Sequence, residues 1–448
     1  MTKSRRFLTL SLSVAVTTAA ILIPVLSTSL SNNAYAAAMP TGSVQYNIRQ
    51  SSLFDKNNVA LAINDTVAKM KVGDKLYLQG GDYKFKETIK ITDGIPIVGT
   101  DSTLTDCEFV LEGNYTMDGA FDAMVIDGDN IVVRAGNFKS DKTDYKTENA
   151  LPGGITIRES NYSTYNFGDI SGFDCGLKFA PTELMTGICY SYVTFRSISN
   201  CYSGIRFHGG NLAEDKRSSW VNENYIYGGT ISNCYDGFHA KKGDAQVDEY
   251  NNNSFYKIAF SDIAHDAIVC EFSSFNQFYR PVFKNIERYY VNQKTTSKAN
   301  KFYFSENIPD SKLSLYGKGD ILEGNITDDN GEIFAKRIVM TNNRQVSGTK
   351  RVYEYLNMKT VDARNESVTL PINTSVVNVS SSTAAVKITV PMAASYNGYT
   401  FVLNVESVNQ PIIVVDGYGY EFFEGKIKSP GKYQVTNIDN KFEAIKLS

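Results

Sequence analysis

One pattern passes five times through the stretch 163–290, and it restricts the fold more than any other feature of the chain. Each copy opens with Ser or Asn two positions before an apolar residue: Ser163 with Tyr165, Ser191 with Val193, Asn224 with Ile226, Asn253 with Phe255 and Asn276 with Phe278. Seven positions after the opener stand Ile170, Ile198, Ile231, Phe260 and Phe283. Three further on come Phe173, Cys201, Cys234, Ile263 and Ile286, and four beyond those Leu177, Ile205, Phe238, Ala267 and Tyr290. A small polar residue precedes the third column each time, as Gly172, Asn200, Asn233, Asp262 and Asn285. Successive openers lie 28, 33, 29 and 23 residues apart, so length varies only outside the shared block.

A repeat of this size cannot bury its apolar face alone, so its neighbours must stack on it. The apolar positions are β-branched and aromatic and alternate at period two, which makes them strands. Stacked coils then lay equivalent strands in parallel, about 4.8 Å apart, and the recurrent Asn or Asp suits a corner. The expected fold is all-β: a right-handed parallel β-helix with an N-terminal capping helix and a small C-terminal β-sandwich-like module. A chance-repetitive β-sandwich is the lesser alternative.

The N-terminus reads as an export signal over 1–36. Lys3, Arg5 and Arg6 precede an apolar run from Phe7 to about Leu26, and Ala34-Tyr-Ala36 offers a cleavage site before Ala37. No other stretch approaches the ~20 apolar residues of a spanning helix, so the expectation is a secreted, extracellular protein without membrane insertion, with cell-surface association left open. The net charge of −3 gives no general attraction to nucleic acid. Six cysteines in an exported chain suggest disulfides, yet all lie on or beside apolar strand positions. Cys201 and Cys234 share a column, and buried thiols are the favoured reading over a bridge. The three histidines stand apart in sequence and no cysteine has metal spacing, so no zinc site is expected. No cofactor is implied, with Ca2+ left open.

At 57–70, Val59, Ile63, Val67 and Met70 fall on one helical face, with Asn57 or Asn58 as cap. A helix in that place would cover the core of the first coil. Strands follow at Lys75-Leu-Tyr-Leu78, at Gly80-Gly-Asp-Tyr83, at Thr88-Ile-Lys-Ile91 and at Ile95-Pro-Ile-Val-Gly99. This run, from Val59-Ala-Leu-Ala-Ile63 through Gly73-Asp to Ile97-Val-Gly99, resembles the entry of the pectate-lyase-like superfamily, and the likeness extends over about 55–290. The resemblance implies a right-handed β-helix and, among activities, polysaccharide lyases, glycosidases, epimerases and phage tail depolymerases. A fainter likeness, through the opening and Ile263-Ala264 to Glu271, is to the inulin fructotransferases. The Gly-His-Gly and Arg-Ile-Lys motifs of polygalacturonases are absent, His208-Gly209-Gly210 being no substitute, and so is the Asp-His motif of the main pectate lyases. The likeness therefore specifies fold, not catalytic residues.

After Tyr290 the repeat is expected to fade. The organisation reads as signal 1–36, β-helix 37–310, a connecting β region 311–360 and a C-terminal β module 361–448. The module's short strands, such as Val386-Lys-Ile-Thr-Val390, suit a small β-sandwich. It resembles the terminal modules of phage tail and surface β-helix proteins, which implies glycan binding or trimer assembly, with a plain cap as the alternative.

Stacking makes columns the place to look for chemistry. With Leu177, Ile205 and Phe238 inward, Lys178, Arg206 and His239 face outward together, and His208 and Lys241 do so two positions on. A slip in the fourth coil, matching Ile268 to Phe238, sets Glu271 beside Lys241. The longest loops of the repeat, 209–222 and 242–252, leave this face carrying Glu214, Asp215, Lys216, Arg217, Trp220, Asp244, Asp248 and Glu249. Trp220 is a candidate sugar platform or a loop anchor.

Two mechanisms compete. Lyase-type β-elimination needs cations at a uronate carboxylate, for which Arg206 and Lys241 stand, and a base, His208 or His239. A glycoside hydrolase or fructotransferase-like glycan transferase needs two carboxylates, Glu271 with Asp236 or Asp262. Asp262 shares its column with Gly and Asn, and Asp236 sits at a turn beside Gly237, so both also have a structural reading. Lys178, Arg206, Lys241 and Trp220 are the candidate substrate contacts. The basic column favours an acidic polysaccharide and the lyase, with a non-catalytic glycan-binding surface protein as the third alternative and a homotrimer left open.

Overall fold

The computed structural model describes residues 43–92, 104–141, 145–148, 152–181, 187–208, 219–241, 250–342, 349–354, 359–370, 374–390, 400–415, 421–422, 427–438 and 441–447. The export signal, Ile95–Gly99 and the loop acids and bases at 209–218 and 242–249 lie outside these residues.

The chain winds into a parallel β-helix, with two long sheets built mostly of parallel neighbours. Its register is that of the repeat: Ile170, Ile198, Ile231, Phe260 and Phe283 pair in succession. Ile198 and Ile231 are fully buried and Phe283 is 8 % exposed, so the column fills the interior. Phe255, Phe278 and Phe302 stack with centroids 4.4 and 4.9 Å apart, the distance that coil spacing imposes on like side chains.

Two expectations about the repeat are corrected. The expected slip in the fourth coil is there, with Phe238 paired to Ile268, and it persists in the fifth, where Ile268 pairs with Val291; the last column therefore ends on Ile268 and Val291 instead of Ala267 and Tyr290. One extra residue before this strand in each of these coils shifts the chain. Nor does the repeat fade after Tyr290: Phe278 pairs with Phe302, and Phe302 with Leu322. The strand Ile321–Thr327 then turns at Asp328 and runs antiparallel to Ile333–Asn342.

The two polar columns are backbone devices. Gly172, Asn200, Asn233, Asp262 and Asn285 all have φ between +50° and +82°, which Gly, Asn and Asp adopt at least cost. The openers form a buried ladder. Oδ1 of Asn224, Asn253, Asn276 and Asn300 accepts the backbone N–H of the opener one coil earlier, at 2.9–3.1 Å. Each Nδ2 donates to a carbonyl of the preceding coil.

The helix runs Val59–Val67 and covers the first coil. Asn58 holds the N-cap position, but its side chain makes no cap bond and accepts from Lys86 N instead. Asn64 bonds the Thr88 carbonyl and the Lys90 amide, which occupies the open strand edge. All six cysteines are buried free thiols.

The C-terminal region has its own core, with Val377, Ile388, Leu403 and Val435 buried. Its five- and four-stranded sheets begin as parallel pairs and close with antiparallel ones, such as Gly431–Ile438 with Lys441–Lys446. Among the described residues no helix is long and apolar enough to cross a membrane.

Candidate functional site

The strands Cys175–Phe179, Ser203–Phe207, Asp236–Ala240 and Ile268–Cys270 lie side by side on one sheet. Leu177, Ile205, Phe238 and Ile268 are buried, and their alternation turns the neighbouring positions outward. Lys178, Arg206 and His239 are consecutive in register. The Lys241 amide bonds Phe207, and the Glu271 amide bonds Ala240, so His208, Lys241 and Glu271 follow in the next row.

The cations are already matched. Arg206 is only 3 % exposed. Its Nη1 donates to Asp174 at 3.0 Å, its Nε and Nη2 to Ser203 Oγ, and the guanidinium lies over the Tyr202 ring. Burial opposes its charge, but Cys175, Asp174 and Glu148 outweigh burial and raise its pKa. Lys241 is bonded to Glu148, which lies 93 positions earlier in the chain. That bond, with help from Arg206 and His239, keeps the Glu148 carboxylate below its usual pKa against its partial burial. Lys178 is half-buried between Thr156 and Arg206.

Asp236 is the centre of the arrangement. It is 3 % exposed, with Oδ1 2.9 Å from His265 Nδ1 and Oδ2 3.1 Å from His239 Nδ1. Arg288 can only donate, and it donates to His265 Nε2. The proton of His265 therefore sits on Nδ1 and points at Asp236. Burial alone would raise the Asp236 pKa, but the two imidazoles outweigh burial and hold it at about 2. The His239 contact is an ion pair rather than an aligned hydrogen bond. Its Nε2 stands 3.9 Å from Glu271 Oε2. Burial pushes the His239 pKa down, yet Asp236 and Glu271 raise it above its ordinary value. Tyr202, Tyr235 and His265 stack beside this group, each pair of rings 4.8 Å apart.

Two of the three histidines are thus not isolated: His239 and His265 share one carboxylate. Asp236, His265 and Asp266 also come close enough to suggest a cation site. Several of their lone pairs already accept hydrogen bonds, however. His265 Nδ1 carries a proton, and Asp266 accepts from Tyr289 N at 3.1 Å and Asn292 Nδ2 at 2.6 Å. The cluster is a hydrogen-bonded network, and two carboxylates with one imidazole fall short of the roughly six to eight oxygens that Ca2+ takes.

Asp262 stands at a corner with φ +54°, where its Oδ1 accepts from Asn285, and makes no contact with this group. Trp220 lies on the strand Trp220–Asn222, paired with Gly187–Cys189. Its indole covers Gly187, where a Cβ would come within 2.1 Å of Nε1. The His208 amide bonds Phe179 O, one position past the strand end.

Sequence reasoning missed Glu148, Asp174, His265, Asp266 and Arg288. Asp266 and His265 had a signal: Tyr235-Asp236 and His265-Asp266 are one coil apart once Ile268 is matched to Phe238. Glu148 had none, because it reaches the face from a loop of an earlier coil.

A separate cavity of about 490 Å3 lies over Gly113, Gly136 and Gly168. Its glycines answer to backbone crowding, since a Cβ on Gly136 would meet Gly113 O at 2.0 Å. Its Arg196 is bonded to Asp169 and Asn137.

The sequence matches no family model and no curated protein. Among solved structures, the chain is similar to PfbA, a surface adhesin of Streptococcus pneumoniae, at 10 % identity and a TM-score of 0.43, covering 90 % of this chain and 98 % of that one. It is also similar to the Dettilon tailspike protein gp208, at 12 % identity and a TM-score of 0.37, covering 89 % and 77 %.

Proposed function

We propose that this face binds an extracellular glycan and hydrolyses a glycosidic bond, with Glu271 and Glu148 as the working carboxylates. The observation that supports this is the pair of partly exposed carboxylates flanking Lys241, one of which has a protonated imidazole beside it. Glu148 is held ionised by its bond to Lys241. Glu271 instead faces the imidazole of His239, which Asp236 and Glu271 together favour in its protonated form. Hydrolysis needs such a division, one group delivering a proton to the leaving oxygen and one carboxylate activating water or attacking the sugar. The His239–Glu271 pair carries one proton between them and delivers it as the acid through Glu271, and the ionised Glu148 serves as base or nucleophile. Both are partly exposed, at 26 % and 35 % of their side chains, and so within reach of a substrate. Asp236 and His265 act through His239 and are positioning residues.

The lyase reading rested on unpaired cations and a neutral histidine. Arg206 and Lys241 have Asp174 and Glu148 as partners, and His239 favours its charged form, so an acidic substrate loses its main attraction. A polysaccharide panel tests the proposal through new reducing ends and the absorbance of unsaturated products. Reducing ends without absorbance, abolished in Glu271→Gln, are expected. Unsaturated products would restore the lyase, and binding without cleavage would leave a glycan-binding surface protein.

A further inference from the structure

The asparagine ladder ends on an aspartate, and that substitution changes what the last rung can do. Asp320 is fully buried. Its Oδ1 accepts the Asn300 amide at 2.8 Å, as each earlier rung accepts from the one before it. Each earlier rung also uses its second side-chain atom, Nδ2, as a hydrogen-bond donor. For Asn276 and Asn300 the acceptors are Tyr250 O at 2.8 Å and Ser273 O at 3.0 Å. At Asp320 the corresponding atom, Oδ2, is buried without a hydrogen-bond partner. A carboxylate has no proton to donate, whereas a carboxylic acid has one on the atom where asparagine carries its amide hydrogens.

We infer that Asp320 is carried as the neutral acid and works as a pH-operated latch on the last coil, holding it while protonated and loosening it on losing its proton to solvent. Nothing charged compensates that loss. Among the described residues no cation pairs with Asp320, and Lys318 two positions before it is exposed. The titratable neighbour is the buried Cys270 thiol, which burial keeps neutral, so it supplies no compensating charge. The remaining contacts are neutral: Asn300, and the Gly317 backbone, so close that a Cβ there would meet Oδ2 at 1.7 Å. Burial pushes the Asp320 pKa up to about 7, with the Asn300 bonds pulling the other way.

The latch sits where the solenoid closes. The Asp320 carbonyl accepts the Met340 amide, and the next residue, Ile321, pairs with Val339 of the closing hairpin. Ionisation at this point weakens the attachment of that hairpin.

The sign follows from linkage. A carboxyl raised in the folded state from 3.8 to about 7 binds more protons folded than unfolded across that window, so stability falls as pH rises through it and then levels off. Asp320→Asn supplies the missing donor permanently. Thermal melts of the full chain at about pH 5 and about pH 7 test the inference. Wild type should melt several degrees lower at the higher pH, and Asp320→Asn should remove most of that difference, leaving the smaller His239 contribution, and melt above wild type at pH 7. Equal pH dependence in the two proteins, or a variant less stable than wild type at pH 7, overturns it. Should the variant fail to fold, the inference is likewise overturned if the wild-type melt stays level between the two pH values.

Discussion

The asparagine ladder and the Asp236 face are both buried polar columns of one solenoid, built on the same coil spacing, yet they behave oppositely. Along the ladder the same residue recurs, and each rung satisfies the next in the same way. On the face the residue type does not hold: Ser203 gives way to Asp236 and Asp266 in one row, and Tyr202 and Tyr235 give way to His265 and Arg288 beside it. Uniform rungs close their own hydrogen bonds and leave nothing for a ligand. Mixed rungs leave charge pairs with unequal proton affinities, which is what acid–base chemistry needs. In a solenoid, then, repetition marks structure and its local failure marks a candidate site.

Four changes would break or sharpen this contrast. The largest effect is expected from Ile231→Asp, which places an unpaired charge between Ile198 and Phe260 in the uniform interior. The cost is several kcal/mol, and loss of the cooperative unfolding transition in circular dichroism is the expected result. Glu271→Gln should act the other way, lowering turnover about 10²–10⁴-fold while the melting temperature stays put. A stability loss as large as that of a ladder variant would show that Glu271 is structural.

Next comes Asn253→Leu, which strands the Asn224 amide and the Val221 carbonyl. Two buried groups without partners cost about 2–4 kcal/mol in denaturant titration, with activity retained in the folded fraction. The smallest effect concerns protonation. The His239 charge contributes stability that is fully present below its ordinary 6.5 and lost as pH rises through its raised folded value. Asp236, depressed from 3.8 to about 2, contributes above 3.8 and loses that contribution as pH falls through about 2. An NMR titration should place the His239 midpoint above 6.5, and Asp236→Asn should lower it; an unmoved midpoint would remove Asp236 from its positioning role.

What the sequence by itself determined is the solenoid. Openers, corners and core columns are set by which residue recurs one coil later, and stacking converts that recurrence directly into register, so Ile198, Ile231, Phe260 and Phe283 could be placed from spacing alone. Even Asn300-Lys-Phe302 and Asp320-Ile-Leu322 continue the opener pattern and were legible past Tyr290. The outward grouping of Arg206, His239, Lys241 and Glu271 was legible for the same reason. Only the tertiary structure decided what those side chains are bonded to. Pairing depends on which outward rows come within about 3 Å, and on loops that return to the face from distant coils. Arg206 reads as a free cation until Asp174 and Tyr202 cover it, and Lys241 until Glu148 arrives from 93 positions away. Backbone recurrence is one-dimensional, whereas charge compensation is settled in three dimensions.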